Sequence, residues 1–205
     1  MTRANVIDVS ELPDYSISTA APLWWGQALM AAIEASMFLM MIAIYFYIRL
    51  SVDMWPLPGT QLPHVTIPTF GLLFLLVSCG GSYWASEGAK KDDRAQMLSG
   101  LVFNVACGGA FLGLRAWEWH NFNFGWATDI HGSIVWAILY LHTLDAVADL
   151  FYTVVLIIII AINRHGPKQR LGVHVDSVLW YFIAAMWVPF YVVVYWGPRL
   201  VGAPR

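Results

Sequence analysis

The sequence predicts an all-α integral membrane protein of five transmembrane helices arranged as a V-shaped bundle. Three observations carry this. Of 205 residues, 59% are hydrophobic and only 12% charged, and the mean hydropathy is +0.62. A water-soluble domain of this size needs far more charge. The chain also contains five apolar runs of about the 20 residues that cross a hydrocarbon core about 30 Å thick. Finally, Lys and Arg gather in alternate connectors rather than evenly.

The first run covers 24–50 and the second, the shortest, 68–84. The third covers 95–119 and the fourth 131–162, long enough to tilt or to emerge from the bilayer. The fifth covers 178–196. The breakers lie between them, in "WPLPGTQLPH" at 55–64, "EGAKKDDRAQ" at 87–96, "NFNFGWATD" at 121–129 and "NRHGPKQRLG" at 163–172. Trp24, Trp25, Trp84, Trp119, Trp126 and Trp196 fall near span ends, where indole rings prefer the headgroup level. The second connector holds Lys90, Lys91 and Arg94, and the fourth Arg164, Lys168 and Arg170. The positive-inside rule places both on the cytoplasmic side, with the N-terminus inside and the C-terminus outside. Residues 1–23 read as a loosely ordered cytoplasmic tail and 24–205 as one transmembrane domain. The tail has no positive region followed by an apolar core, so no cleavable signal is expected.

Several functions fall away. A net charge of −2 offers no basic surface to nucleic acid. Cys79 and Cys107 lie in apolar runs without metal-ligand spacing, which suits small buried residues better than a disulfide or metal site. Of six histidines only His142 is deep, so a haem held by two facing histidines is not expected. The chain has no HExxH, phosphate loop or nucleophile elbow.

What stands out is charge at depth. Ionisable residues inside membranes usually face a bundle interior or a partner. Glu34 lies in the first span, Arg115 and Glu118 near the end of the third, and His142, Asp145 and Asp149 in the fourth. At a rise of about 1.5 Å per residue, Glu34 is about 15 Å from one edge and His142 about 16 Å from the other. These depths coincide, which allows a hydrogen bond between them. His131, Val135, Ile138, His142, Asp145, Asp149 and Tyr152 follow steps of three and four and share one face. That stripe suits either a proton-accessible or partner-binding surface, or polar glue between helices. Arg115 and Glu118, three residues apart, can pair at the helix end. The alternative is an arginine offered to a lipid phosphate.

Read in order, several segments resemble the cytochrome c oxidase subunit III family of the haem-copper oxidases. "IEASMF" resembles its Ser-Glu-x-x-x-Phe, with Glu34 on the intramembrane glutamate. "SYWASEGAKKDDRAQML" resembles its Trp-Ala stretch and charged loop. "FLGLRAWEWHNF" places Glu118 on a family glutamate, and "HGSIVWAILYLHTL" places His142 on the first of two histidines. "WYFIAAMWVPFYVVVYWG" resembles the closing helix. Five spans look like the bacterial form, which lacks the first two helices of the seven-span form. There are departures. Asp145 stands for the second histidine and Asp149 for a glycine. Arg115 replaces a neutral residue. Trp180-Tyr181-Phe182-Ile183-Ala184 lacks the family's His and Asp.

The resemblance implies a non-catalytic integral subunit of a proton-pumping terminal oxidase in the bacterial inner membrane. Such a subunit lies in a hetero-oligomer beside catalytic subunit I and subunit II, which carry the haem and copper. It binds phospholipid in its cleft and supports proton uptake, while cytochrome c or quinol supplies the electrons. Glu34, His142, Asp145 and Asp149 are then the intramembrane polar cluster. Lys90, Lys91, Arg94, Lys168 and Arg170 are candidates for lipid headgroups. An accessory subunit of a nitric oxide reductase, of the same fold, and a stand-alone proton or ion transporter remain open.

Overall fold

The computed structural model describes residues 15–58, 60, 62–162 and 166–201. Most of the expected tail, up to residue 14, and Arg164 lie outside the described residues. Helix α1 is Pro22–Leu50, α2 Thr66–Lys91, α3 Arg94–His120, α4 Ile130–Ala161 and α5 Pro167–Tyr191. A π-helical turn, Val192–Trp196, continues α5 into the short α6, Gly197–Val201. All five long helices are long and apolar enough to cross a membrane, and there is no strand among the described residues.

Local chemistry sets the helix starts. Pro22 and Pro167 occupy the first turns of α1 and α5, where a missing N–H costs nothing. Asp93 caps α3 by accepting from the backbone N–H groups of Ala95 and Gln96 at 3.0 and 3.1 Å. Asp129 caps α4, accepting from Gly132 N–H at 2.6 Å and from the Thr60 hydroxyl. Burial pushes the Asp129 carboxyl up, but those two donors outweigh it and hold it below its ordinary value. A carboxyl held low stabilises the fold above the ordinary carboxylate range, and that contribution is lost as pH falls through the lowered value. Asp129→Ala is therefore expected to cost about 1 kcal/mol at neutral pH. The gap between variant and wild-type melting curves should narrow on acidification, and a gap that does not depend on pH would contradict this account.

Two helices run further than their apolar stretches foretell. Helix α2 continues past 84 to Lys91, and α5 begins at Pro167 rather than 178. The connectors at 87–96 and 163–172 are correspondingly short, the first reduced to Asp92 and Asp93. The reason is that apolarity measures the part of a helix in hydrocarbon, while hydrogen bonding carries the helix on into the headgroup zone. Lys90 and Lys91 suit the last turn of α2, where cations complement the helix dipole.

Helices α2 and α3 make the closest pair. Gly81, Gly88 and Gly100 let the backbones meet, so that a Cβ on Gly100 would lie 2.4 Å from Ala85 N. Polar side chains join α2 to α5. Trp180 Nε1 donates to Ser78 Oγ at 2.7 Å, and Ser177 Oγ donates to Ser82 O at 2.9 Å. One apolar core, including Phe38, Phe111, Leu139, Trp180, Trp187 and Phe190, runs through the bundle. Helix α1 is the least buried span and leans on α4 and α5. Where a V was expected, the described residues show an opening between the first half of α1 and those two helices.

Candidate functional site

That opening is a cavity of about 330 Å³. Its wall brings together Gln27 and Glu34 of α1, Asp145 and Asp149 of α4, and Asp176 of α5. The helical repeat explains the grouping. Asp145 and Asp149 are one turn apart on one face of α4. Asp176 falls on the inward stripe of α5 with Val173, Trp180, Ile183 and Trp187, all buried. Asp149 is 3% exposed and Asp176 2%. Thr153 Oγ1 donates to both Asp176 oxygens, at 3.0 and 3.3 Å. Neither Asp149 oxygen has a hydrogen-bond partner, and nor do Glu34 Oε2, Asp145 Oδ2 or Gln27 Nε2. The wall therefore concentrates carboxyl groups and unpaired hydrogen-bonding atoms, set among apolar side chains.

His142 stands apart from this group. It is fully buried, and its Nε2–H donates to Ile183 O at 2.9 Å. Its ring lies 4.9 Å from that of Trp187 and within about 6 Å of Phe111 and Phe190. No hydrogen bond joins it to Glu34, because Phe38, one turn along α1, is the residue that faces the imidazole. Glu34 lies one turn away from the imidazole along α1, beside Asp145 and Asp149 on the cavity wall. The expected four-residue cluster is thus three of its members plus Asp176. Sequence reading missed Asp176 because the fifth span was started after it. The inward spacing 173, 176, 180, 183, 187 was the available signal.

Arg115 and Glu118 do pair, but in the interior. They are 3% and 4% exposed. Arg115 Nη1 donates to Glu118 Oε2 at 3.0 Å and to Tyr195 Oη at 3.2 Å, and the Tyr195 hydroxyl donates to Glu118 Oε1. The guanidinium sits 3.9 Å from the centre of the Trp187 ring. The pair is buried within the bundle, and the Arg115 guanidinium faces the Trp187 ring.

The five basic headgroup candidates divide. Lys90 pairs with Glu87 at 2.7 Å, and Arg170 with Asp92 at 3.5 Å. Arg94 donates to the last carbonyls of α4, Ile160 O at 3.1 Å and Ala161 O at 2.7 Å. Lys91 and Lys168 are exposed. Cys79 and Cys107 are free thiols. Among the described residues no group of three or more His, Cys, Asp or Glu is placed to hold a metal ion.

Comparison with known proteins bears on the whole bundle. The family model described as cytochrome c oxidase subunit III matches residues 8–198. Cytochrome c oxidase subunit 3 of Gallus gallus is 26% identical over 181 residues, 85% of this chain and 69% of that protein. The protein of the same name from Locusta migratoria is 25% identical over 180 residues, 85% of this chain and 68% of its own length. The one from Ornithorhynchus anatinus is 24% identical over 143 residues, covering 69% of this chain and 55% of that protein.

Proposed function

The chain belongs to the cytochrome c oxidase subunit III family, and on that premise we propose that it is a non-catalytic integral subunit of a haem-copper terminal oxidase. The observation that carries this is the family match at 8–198, which includes all five membrane-spanning helices. In this reading the haem and copper belong to catalytic subunit I and subunit II. This chain packs beside them in a hetero-oligomer, holds phospholipid and supports proton uptake. Electrons arrive from cytochrome c or quinol.

The chain is a multi-pass membrane protein, and we place it in a bacterial inner membrane. The basic end, with Lys90, Lys91, Arg94, Lys168 and Arg170, faces the cytoplasm there. The N-terminus is then inside and the C-terminus outside, with 1–23 as a tail and 24–205 as one transmembrane domain. The exposed Lys91 and Lys168 are the two basic residues best placed for anionic headgroups.

The test is purification in mild detergent through a tag on this chain, followed by an optical spectrum and mass spectrometry. Haem absorbance with a large multi-span catalytic subunit is the expected outcome. The identity of that subunit separates oxygen chemistry from nitric oxide chemistry. A lone, colourless, monodisperse chain would overturn the proposal and return attention to transport.

A further inference from the structure

The cavity between α1, α4 and α5 gathers five polar atoms that the bundle does not satisfy. Four are carboxyl oxygens, on Glu34, Asp145 and both positions of Asp149. Asp149 is 3% exposed and lines the cavity, so both its oxygens have lost water without gaining a protein donor. Buried carboxyl groups left this way are costly as ions unless something supplies hydrogen bonds and positive charge. The wall supplies neutral donors in Gln27 and Tyr152 but no positive charge, since no Lys, Arg or His lines it.

The shape narrows the occupant. A compact metal ion needs several ligand atoms converging on one point, and no three acidic groups among the described residues do so. A volume of about 330 Å³ matches roughly ten water molecules at about 30 Å³ each, which is room for a headgroup and several methylenes. The remaining wall is apolar, with Leu23 and Met30 on one side and Leu179 and Ile183 on the other. We propose that this cavity binds a primary ammonium group carried on a hydrocarbon chain, with Asp149 as its anchor and Glu34 and Asp145 as flanking acceptors.

An ammonium brings three N–H donors and one positive charge, which matches a wall of unpaired carboxyl oxygens. Charge-assisted hydrogen bonds of this kind are the strong ones. A quaternary ammonium has no N–H and would leave the oxygens unpaired. Thr153 already donates to Asp176, so the Asp176 oxygens have a protein partner that those of Asp149 lack. The inference needs only the bundle and not the oxidase reading, and it stands or falls separately from it.

The experiment is calorimetric titration of the delipidated full-length protein, with whatever subunits it retains, using hexylamine, hexanol and tetramethylammonium. Hexylamine is expected to bind at least about tenfold more tightly than either analogue. Asp149→Asn should weaken it by at least about tenfold. Should that variant fail to fold, Ala148→Phe puts a ring on the cavity wall and leaves every carboxyl group in the chain, and it should abolish binding. Equal affinity for hexylamine and hexanol, no binding at all, or displacement by millimolar sodium or potassium at constant ionic strength would overturn the proposal. Lipid mass spectrometry of undepleted protein then distinguishes the source. An aminophospholipid retained by wild type and lost from Asp149→Asn identifies a membrane lipid. Hexylamine binding with no retained aminolipid identifies a free amine.

Discussion

Arg115→Leu, with Glu118 left in place, is expected to destabilise the bundle by about 3–5 kcal/mol, the usual cost of stranding one member of a buried ion pair. The total stability of a folded protein is only about 5–15 kcal/mol, so most of the purified yield should be lost. Glu118 and Arg115 are both nearly inaccessible, and the Tyr195 hydroxyl is shared between them. Removing the guanidinium leaves Glu118 with one neutral donor. It also removes the cation from the face of Trp187, a contact that gains strength where water is excluded. The double variant Arg115→Leu with Glu118→Gln should recover much of the loss, because replacing both partners removes the stranded charge. Arg115→Lys should not rescue, since an ammonium does not stack flat on indole. Thermal unfolding of the purified protein reads all three. A single Arg115→Leu variant within about 1 kcal/mol of wild type would mean the pair contributes little.

Gly100→Val is expected to separate α2 from α3. A Cβ there would lie 2.4 Å from Ala85 N, 2.6 Å from Gly81 O and 2.8 Å from Ala85 Cα. All three are backbone atoms, so no side chain can swing aside. The helices must part, and overpacking of this kind costs about 1–3 kcal/mol or more. The effect should exceed that in a water-soluble core, because helices in lipid associate through close packing rather than through a hydrophobic drive. Gly109→Ala is the control. A Cβ at that position meets nothing within 4 Å, and alanine should leave stability unchanged or raise it by about 0.5–1 kcal/mol through helix propensity. If Gly100→Val and Gly109→Ala melt alike, the close approach of α2 and α3 is not what holds them.

The spans were legible because hydrocarbon thickness imposes a length, and a run of about 20 apolar residues has few other readings. The start of α5 was not legible by that measure. Its first turns carry Lys168, Arg170, His174 and Asp176, which look like a connector to a test for apolarity. The period of its buried residues was the better guide. Depth arithmetic gave Glu34 and His142 the same level, but α1 is set against α4 about one turn away from that register. Axial register is settled by packing, and Phe38, four residues on from Glu34 on the same face, took the place beside the imidazole. The pairing of Arg115 with Glu118 followed from spacing alone. Its third partner, Tyr195, lies 80 residues from Arg115 along the chain and is brought there only by the tertiary fold.

The π-helical turn at Val192–Trp196 decides whether that third partner arrives. Eight residues of regular α-helix turn through about 800°, which would leave Tyr195 about 80° away from the face of Trp187. A turn closed from i to i+5 absorbs about one residue, or about 100°, and returns the tyrosine to that face. The last span thus stores an insertion of one residue. Deleting one of Val192, Val193 and Val194 should straighten the helix and leave the hydroxyl at Glu118. Deleting two would carry it about 100° away. Length variation at this point in related chains should accordingly come in single residues, present with the bulge or absent without it.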